Sequence, residues 1–230
     1  MIFRSYDVRG RYPEQLNESI AKKIGFAFGK LWPGRIAVGM DARISSEPLK
    51  NALVKGLASA GCEIIDIGLV PTPLLYFTVA KQKLDGGIMV TASHNPIEWN
   101  GCKIVDRGLA VLPTFYERVK ELVSSVKRAK PVDVEAMSVD AVRRHFDAIQ
   151  EKLKPSLEGM RVVMDFRGGV GSLWKGQFER FGMEVVAVNG TVDPFLTKDP
   201  EPKAENVGEA KLAVRKFDAD VGFVFDGDAD

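Results

Sequence analysis

Cysteine is scarce in this chain of 230 residues, with only Cys62 and Cys102 present. Two cysteines make neither a disulfide framework nor a zinc site, so a reducing, cytoplasmic location is expected. Long apolar runs are missing as well. The most apolar stretch, residues 68–80, is broken by Pro71 and Pro73 and falls short of the ~20 residues that span a bilayer. Residues 1–7 lack the apolar core of a signal peptide. Net charge is almost absent: 32 Lys and Arg against 31 Asp and Glu leave +1. That balance argues against a general nucleic-acid or polyanion binder. Histidine is rare too, at 2 residues. No G-x-S-x-G elbow of a hydrolase occurs. The Gly168-Gly169-Val170-Gly171 run fails the dinucleotide fingerprint, because Trp174 stands where its third glycine belongs. Tight strand–helix packing is the expected use of these glycines. Neither a short-period repeat nor a low-complexity segment is found.

What is present is a globular composition, 45% hydrophobic and 27% charged, with ample apolar surface to bury. Helical and strand patterns alternate. Ile20, Ile24, Ala27, Phe28 and Leu31 recur at helical spacing across residues 17–32. A strand is expected at 35–41. A helix should follow, N-capped by Ser46 with Pro48 in its first turn, faced by Leu49, Leu53, Leu57 and Ala60, and stopped at Gly61. Further strands are expected at 62–67, 88–90 and 102–105, with 85–87 as a turn and a short helix after Pro73. Helices should run over 114–129, with Phe115, Val119, Leu122 and Val126 on one side, and over 138–154. The stretch near Pro131 should separate them, and Pro155 should end the second.

A new strand at 161–164 places a domain boundary near residue 155. The second unit should continue with a helix after Gly171, a strand at 184–188, a Pro- and Asp-rich loop at 192–202, a helix to about 218 and a strand at 221–225. The expectation is two layered α/β domains with mixed sheets, 1–154 and 155–230, the second incomplete at its C-terminus. About 75 residues is small for an independent core, so a longer protein or one half of a split protein is expected.

Two loops carry candidate chemistry. Thr91-Ala92-Ser93-His94-Asn95-Pro96 follows a buried strand, where open α/β sheets present reactive groups. Small neighbours leave the Ser93 hydroxyl approachable. Ser, Asn and Pro also make ordinary turns, so these six residues alone leave both readings open. Ser93 and His94 are not read as a catalytic pair, since adjacent side chains rarely point at each other. Asp226-Gly227-Asp228-Ala229-Asp230 sets three carboxylates at alternate positions after an apolar strand. Such a set suits one hard cation, Mg²⁺ or Ca²⁺, and would repel itself strongly without one. Arg9, Arg43 and Lys103 stand near these loops; taken singly, each reads as a solvated charge. His145 receives no role.

Together, the pieces resemble the α-D-phosphohexomutases, the family of phosphomannomutase and phosphoglucomutase. The Thr91–Pro96 segment resembles that family's phosphoserine loop, and Asp226–Asp230 resembles its magnesium loop. Phe3-Arg4-Ser5-Tyr6-Asp7-Val8-Arg9-Gly10 is similar to the opening motif of the phosphomannomutase/phosphoglucomutase branch, whereas the phosphoglucosamine branch opens with a Gly-Thr-Asp-Gly form. Val70-Pro71-Thr72-Pro73 and Asn100-Gly101-Cys102-Lys103 match in order and spacing. The resemblance covers the whole chain and about the first half of a typical member.

It implies that Ser93 gives and retakes a phosphoryl group. Asp226, Asp228 and Asp230 would hold Mg²⁺ with a phosphoserine oxygen of Ser93 as a further ligand. Lys103 would be the acid/base for the sugar hydroxyl, with His94 and Arg9 contacting the phosphoryl group or aiding proton transfer, and Asn95 and Arg43 shaping the site. The implied reaction interconverts hexose 1-phosphate and hexose 6-phosphate through a bisphosphate. The family's sugar-reading third domain, its phosphate-clamping fourth and the Arg after its metal loop lie outside this sequence. A complementary chain, or a homo-oligomer, is therefore an expected partner. Two other readings stand beside this one: a haloacid-dehalogenase-like phosphatase with Asp226 as nucleophile, and a non-catalytic or split-enzyme subunit.

Overall fold

The computed structural model describes residues 2–110, 113–125, 134 and 136–230. The first unit contains β1 (Val8–Arg11), α1 (Glu18–Leu31), β2 (Arg35–Met40), α2 (Ser46–Ala60), β3 (Glu63–Leu69), α3 (Pro73–Gln82), β4 (Gly86–Val90), β5 (Trp99–Asp106), α4 (Pro113–Ser125), β6 (Ala136–Ser138) and α5 (Ala141–Leu153). Its sheet has the order β1-β5-β4-β2-β3-β6. The β4-β2-β3-β6 part is parallel, while β5 and β1 add on antiparallel.

Strand periodicity explains the layers, since successive side chains point to opposite faces. Ile36, Val38, Ile88 and Val90 face α1, α2 and α4, packing on Ile24, Phe28, Leu53, Leu57 and Phe115. Ala37, Ile65 and Met89 face the other way, onto Leu74, Leu75 and Val79 of α3. Asn17 caps α1 by accepting the Ile20 N–H at 3.1 Å.

The second unit contains β7 (Arg161–Asp165), a 3₁₀ turn (Val170–Trp174), α6 (Lys175–Arg180), β8 (Glu184–Val188), α7 (Gly208–Lys216) and β9 (Val221–Val224). Its three strands are all parallel, in the order β8-β7-β9, so among the described residues the mixed sheet expected in both units is found only in the first. The core of this small unit is not its own alone. Trp174, Phe181 and Ala229 join Leu74, Val79 and Phe146 of the first unit in one cluster. Phe146 of α5 meets Phe178 edge-on at 5.6 Å and Phe181 at 5.5 Å. The shared aromatic seam supplies the burial that so few residues could not reach by themselves.

Several local expectations change. Ser46 is the first residue of α2, not its cap; Ser45 takes that place without a side-chain cap bond. The Ser46 hydroxyl is drawn away to Asp41. Gly86 and Gly87 form a strand rather than a turn. A Cβ at Gly87 would lie 2.8 Å from Leu75 Cδ1, so the glycine lets α3 press onto β4. Ser138 belongs to β6, and α5 begins at Ala141, capped by Asp140, which accepts the Arg143 N–H. Strands β1 and β6 had no periodic signal. The readings at Val126, Ala129 and Pro131 lie outside the described residues.

Candidate active site

The loops that follow β4 and β9 meet. The loop that follows β3 joins them through its backbone, with the Thr72 N–H donating to the Asp228 carbonyl at 2.9 Å. Ser93 has φ 54 and is buried. Its N–H is held by the Thr91 hydroxyl at 2.9 Å, and its own hydroxyl donates to Asp226 Oδ2 at 2.7 Å. The left-handed turn also brings exposed His94 round, so that its Nδ1 lies 3.3 Å from Ser93 Oγ. The two adjacent side chains do converge, contrary to expectation, because a positive φ rotates the chain between them.

Asp226, Asp228 and Asp230 each offer one oxygen, and these oxygens lie within 4.8 Å of one another. Asp228 is fully buried. Its Oδ2 accepts from Thr72 Oγ1 at 2.6 Å, Lys103 Nζ at 2.9 Å and Thr91 Oγ1 at 3.1 Å. Its Oδ1 is buried with no partner. A buried carboxylate oxygen without a donor is costly, and an all-oxygen donor set is the choice of a hard cation. The residues present therefore fit Mg²⁺.

The electrostatics follow from crowding. Burial first, and then the charge of Asp228, push the Asp226 carboxyl up to about 7. Burial also opposes the charge on Asp228, but Lys103 and the Thr72 hydroxyl outweigh it and hold that carboxyl below the usual range. This is the pattern of two close carboxylates that cannot both ionise freely. Lys103, on β5, also reaches Asp230 at 2.5 Å. Burial works against its charge, yet Asp228 and Asp230 prevail and raise its pKa. The lowered pKa that a base would need is not what these carboxylates produce; Lys103 stands here as a protonated donor.

Arg9 reaches the Ser93 loop by another route. It pairs with Asp7 at 2.6 Å and donates to the Ala92 carbonyl at 3.1 Å and to Asn95 Oδ1. Arg43, far from being solvated, is buried beneath the loop and pairs with Asp41 at 3.0 Å. Burial raises the pKa of Asp41, against the pull of Arg43 and the hydroxyls of Ser46 and Thr91. His145 lies apart from the site, edge-on to Phe77 at 4.9 Å.

The Gly168–Gly171 run has a use other than strand–helix packing. A Cβ at Gly169 would stand 2.7 Å from the Gly227 carbonyl, so the bare backbone is the seat of the acidic loop. Thr72, Thr91 and Asp41 were not singled out from the sequence as site residues. Thr72 and Thr91 stand inside the Val70–Pro73 and Thr91–Pro96 segments that carry the family likeness, and Asp41 stands just past the end of β2. A cleft of about 500 Å³ opens beside Ser93, His94, Asp226 and Asp230, walled by Glu201, Pro202 and Lys203. Among the described residues no helix is long and apolar enough to cross a membrane.

Comparison with known proteins agrees with this geometry. Residues 1–130 match the profile of phosphoglucomutase/phosphomannomutase alpha/beta/alpha domain I, and residues 137–230 match that of domain II. A protein of Thermococcus gammatolerans named "Probable phosphoglucosamine mutase" is 37% identical over 237 residues, covering 99% of this chain and 52% of its own length. The phosphoglucomutase/phosphomannomutase of Thermococcus kodakarensis is 37% identical over 244 residues, covering 100% of this chain and 54% of its own. The crystal structure of a phosphoglucomutase/phosphomannomutase family protein from Burkholderia thailandensis superposes with a TM-score of 0.90 at 30% identity, over 99% of this chain and 52% of that one. The chain thus spans about half the length of the relatives it matches. Two α/β/α units, their loops joined at Ser93 and the acidic triplet, and profile matches along nearly the whole sequence place the chain in the phosphoglucomutase/phosphomannomutase family.

Proposed function

We propose that this chain carries the phosphoryl-transfer half of a phosphohexomutase that interconverts hexose 1-phosphate and hexose 6-phosphate, of mannose or glucose, in the cytoplasm. Its two units divide near residue 155. Ser93 is the phosphoryl carrier. The observation that carries the reading is the 2.7 Å contact of the Ser93 hydroxyl with Asp226, beside the unpartnered Oδ1 of Asp228.

Asp226, Asp228 and Asp230, with an oxygen of phosphorylated Ser93, would hold Mg²⁺. Bound there, the ion would supply positive charge for the phosphoryl oxygens. A phosphoserine brings about −2, and with three carboxylates the site nears −5. A divalent ion still leaves about −3, so basic groups are required. Lys103, bonded to Asp228 and Asp230, and Arg9, bonded to the Ala92 carbonyl and Asn95, answer that need. Phosphoryl transfer is chiefly positioning and charge stabilisation, and the buried, pre-bonded Ser93 loop supplies the positioning.

In the forward direction phosphoserine gives its phosphoryl group to the free hydroxyl of the hexose phosphate, making the bisphosphate. Ser93 keeps the oxygen of the broken P–O bond. The hydroxyl proton passes to the Lys103 amine, which must first release its own proton to solvent, and the freed Ser93 oxygen takes up a proton by way of His94. The sugar turns, and the other phosphate returns to Ser93. His94, 3.3 Å from Ser93 Oγ, is placed to exchange the seryl proton. Groups that read the sugar would come from a complementary polypeptide segment or chain, or from a second copy.

The test is intact-mass measurement after incubation with a hexose 1,6-bisphosphate and Mg²⁺. One acid-stable phosphoryl adduct, mapped to Ser93 and lost in Ser93→Ala, is expected. No adduct on the wild-type chain, or an acid-labile adduct on Asp226, would remove the reading.

A further inference from the structure

The two units repeat one device. β2 lies between β3 and β4 just as β7 lies between β8 and β9, all parallel. At the end of each central strand stands the same turn: Met40-Asp41-Ala42-Arg43 and Met164-Asp165-Phe166-Arg167. In each, the aspartate Oδ1 accepts the arginine's backbone N–H, at 3.1 Å and 3.0 Å. Both aspartates and both arginines are buried.

Neither guanidinium faces solvent, and both are spent on backbone carbonyls of loops around the site. Arg43 donates to the carbonyls of Ser93 at 2.9 Å, Asn95 at 2.5 Å, Pro96 at 2.7 Å and Trp99 at 3.2 Å, while its Nε holds Asp41 at 3.0 Å. Every N–H of that guanidinium is thereby used. Arg167 donates to the carbonyl of Asp199 twice and to that of Asn206 at 2.7 Å. The segment between those two carbonyls includes Glu201, Pro202 and Lys203, which line the cleft together with Ser93 and His94.

We infer that Arg43 and Arg167 are paired positioning residues: Arg43 locks the Ser93 loop in its left-handed turn, and Arg167 sets the part of the cleft wall that carries Glu201, Pro202 and Lys203. The inference rests on the reading of Ser93 as phosphoryl carrier. A planar fork with five donors can bind both ends of a loop at once; a lysine, with one nitrogen, keeps the charge beside Asp41 but not the span. The two arginines therefore control different properties of the site. Arg43 governs the nucleophile's orientation, and Arg167 governs entry and retention of the sugar phosphate.

The test compares Arg43→Lys with Arg167→Lys in the full chain, by amide hydrogen exchange and by the rate at which Ser93 takes a phosphoryl group from a hexose 1,6-bisphosphate. Arg43→Lys is expected to speed exchange at residues 92–97 by about tenfold or more. It should also slow the maximal phosphorylation rate by about 100-fold, with little change in half-saturation. Arg167→Lys is expected to speed exchange at residues 199–206 only, and chiefly to raise the half-saturating bisphosphate concentration. If Arg43→Lys folds poorly, Asp41→Asn combined with Arg43→Leu removes both buried charges together and should show the same loss of rate. Parallel losses in the two variants that follow their melting temperatures would overturn the inference. So would unchanged exchange at 92–97 in Arg43→Lys. A wild-type chain that takes no phosphoryl group would overturn the reading of Ser93 instead, and the exchange pattern would still decide the roles of the two arginines.

Discussion

The hydroxyl of Ser93 donates a 2.7 Å hydrogen bond to Asp226 across 133 residues of sequence. That bond joins the β4 loop to the β9 loop and makes one site of two. It also ties the site's behaviour to pH, because Asp226 is held with its carboxyl raised to about 7.

A carboxyl whose folded pKa exceeds its unfolded value prefers its proton in the fold. In chelator-treated protein, stability should therefore fall as pH rises from about 4 to about 7 and level off above, by on the order of 4 kcal/mol at most. Asp226→Asn should flatten that slope. The stabilisation given by added Mg²⁺ should grow over the same window, since the ion competes with the proton. Melting temperatures across pH, with and without Mg²⁺, check both; an unchanged slope in Asp226→Asn would contradict the assignment.

Lys103 is the cation that meets buried Asp228 at 2.9 Å. Lys103→Met leaves that carboxylate without its counter-charge. The loss should be about 1–3 kcal/mol, below that of a fully buried pair because the lysine side chain is 16% exposed. Mg²⁺ should restore part of it. Urea midpoints of the variant with and without Mg²⁺ measure the effect, and an equal deficit in both conditions would argue against a cation site at the triplet.

Gly169 lies under the acidic loop. Gly169→Ala would force the Gly227 carbonyl outward, since it stands 2.7 Å from the added carbon. Affinity for Mg²⁺ should drop by about tenfold or more, and stability by roughly 1–3 kcal/mol. Calorimetric titration with Mg²⁺ decides it, and unaltered affinity would show that the seat is not needed.

His145 offers a control remote from the site. Burial lowers its pKa, and its Nδ1 has no partner. A depressed histidine contributes stability above its unfolded value, about 6.5, and loses it as pH falls towards the folded value. His145→Phe, between Phe77 and Phe146, should remove that acid-side loss without altering Mg²⁺ binding. Imidazole NMR shifts should titrate below the ordinary histidine range.

The helices and inner strands were legible because burial imposes a period. Leu49, Leu53 and Leu57 line one side of α2, and Ile88, Met89 and Val90 form a buried strand. β6 was not legible, being 3 exposed residues with no alternation. Gly86 and Gly87 were misread as a turn because their constraint comes from Val105 and α3, not from neighbours in the chain.

The candidate site divides in the same way. The Ser93 loop and the Asp226–Asp230 triplet were visible because each is a run whose chemistry is local. Their carboxylate spacing and their place after apolar strands could be read directly, and so could the likeness to a known family. What joins them could not be read. Thr91 places its hydroxyl 2.8 Å from Asp41 and 3.1 Å from Asp228, and Arg43 spends its donors on four carbonyls of a loop about fifty residues away. Neither residue's place in its segment tells which distant group it will meet; their partners are chosen by sheet order and by the packing of one unit on the other. Sequence determined which side chains could do the chemistry, since composition and local pattern set propensity and charge. Tertiary structure alone decided which of them meet, because contact between distant segments depends on how the layers close.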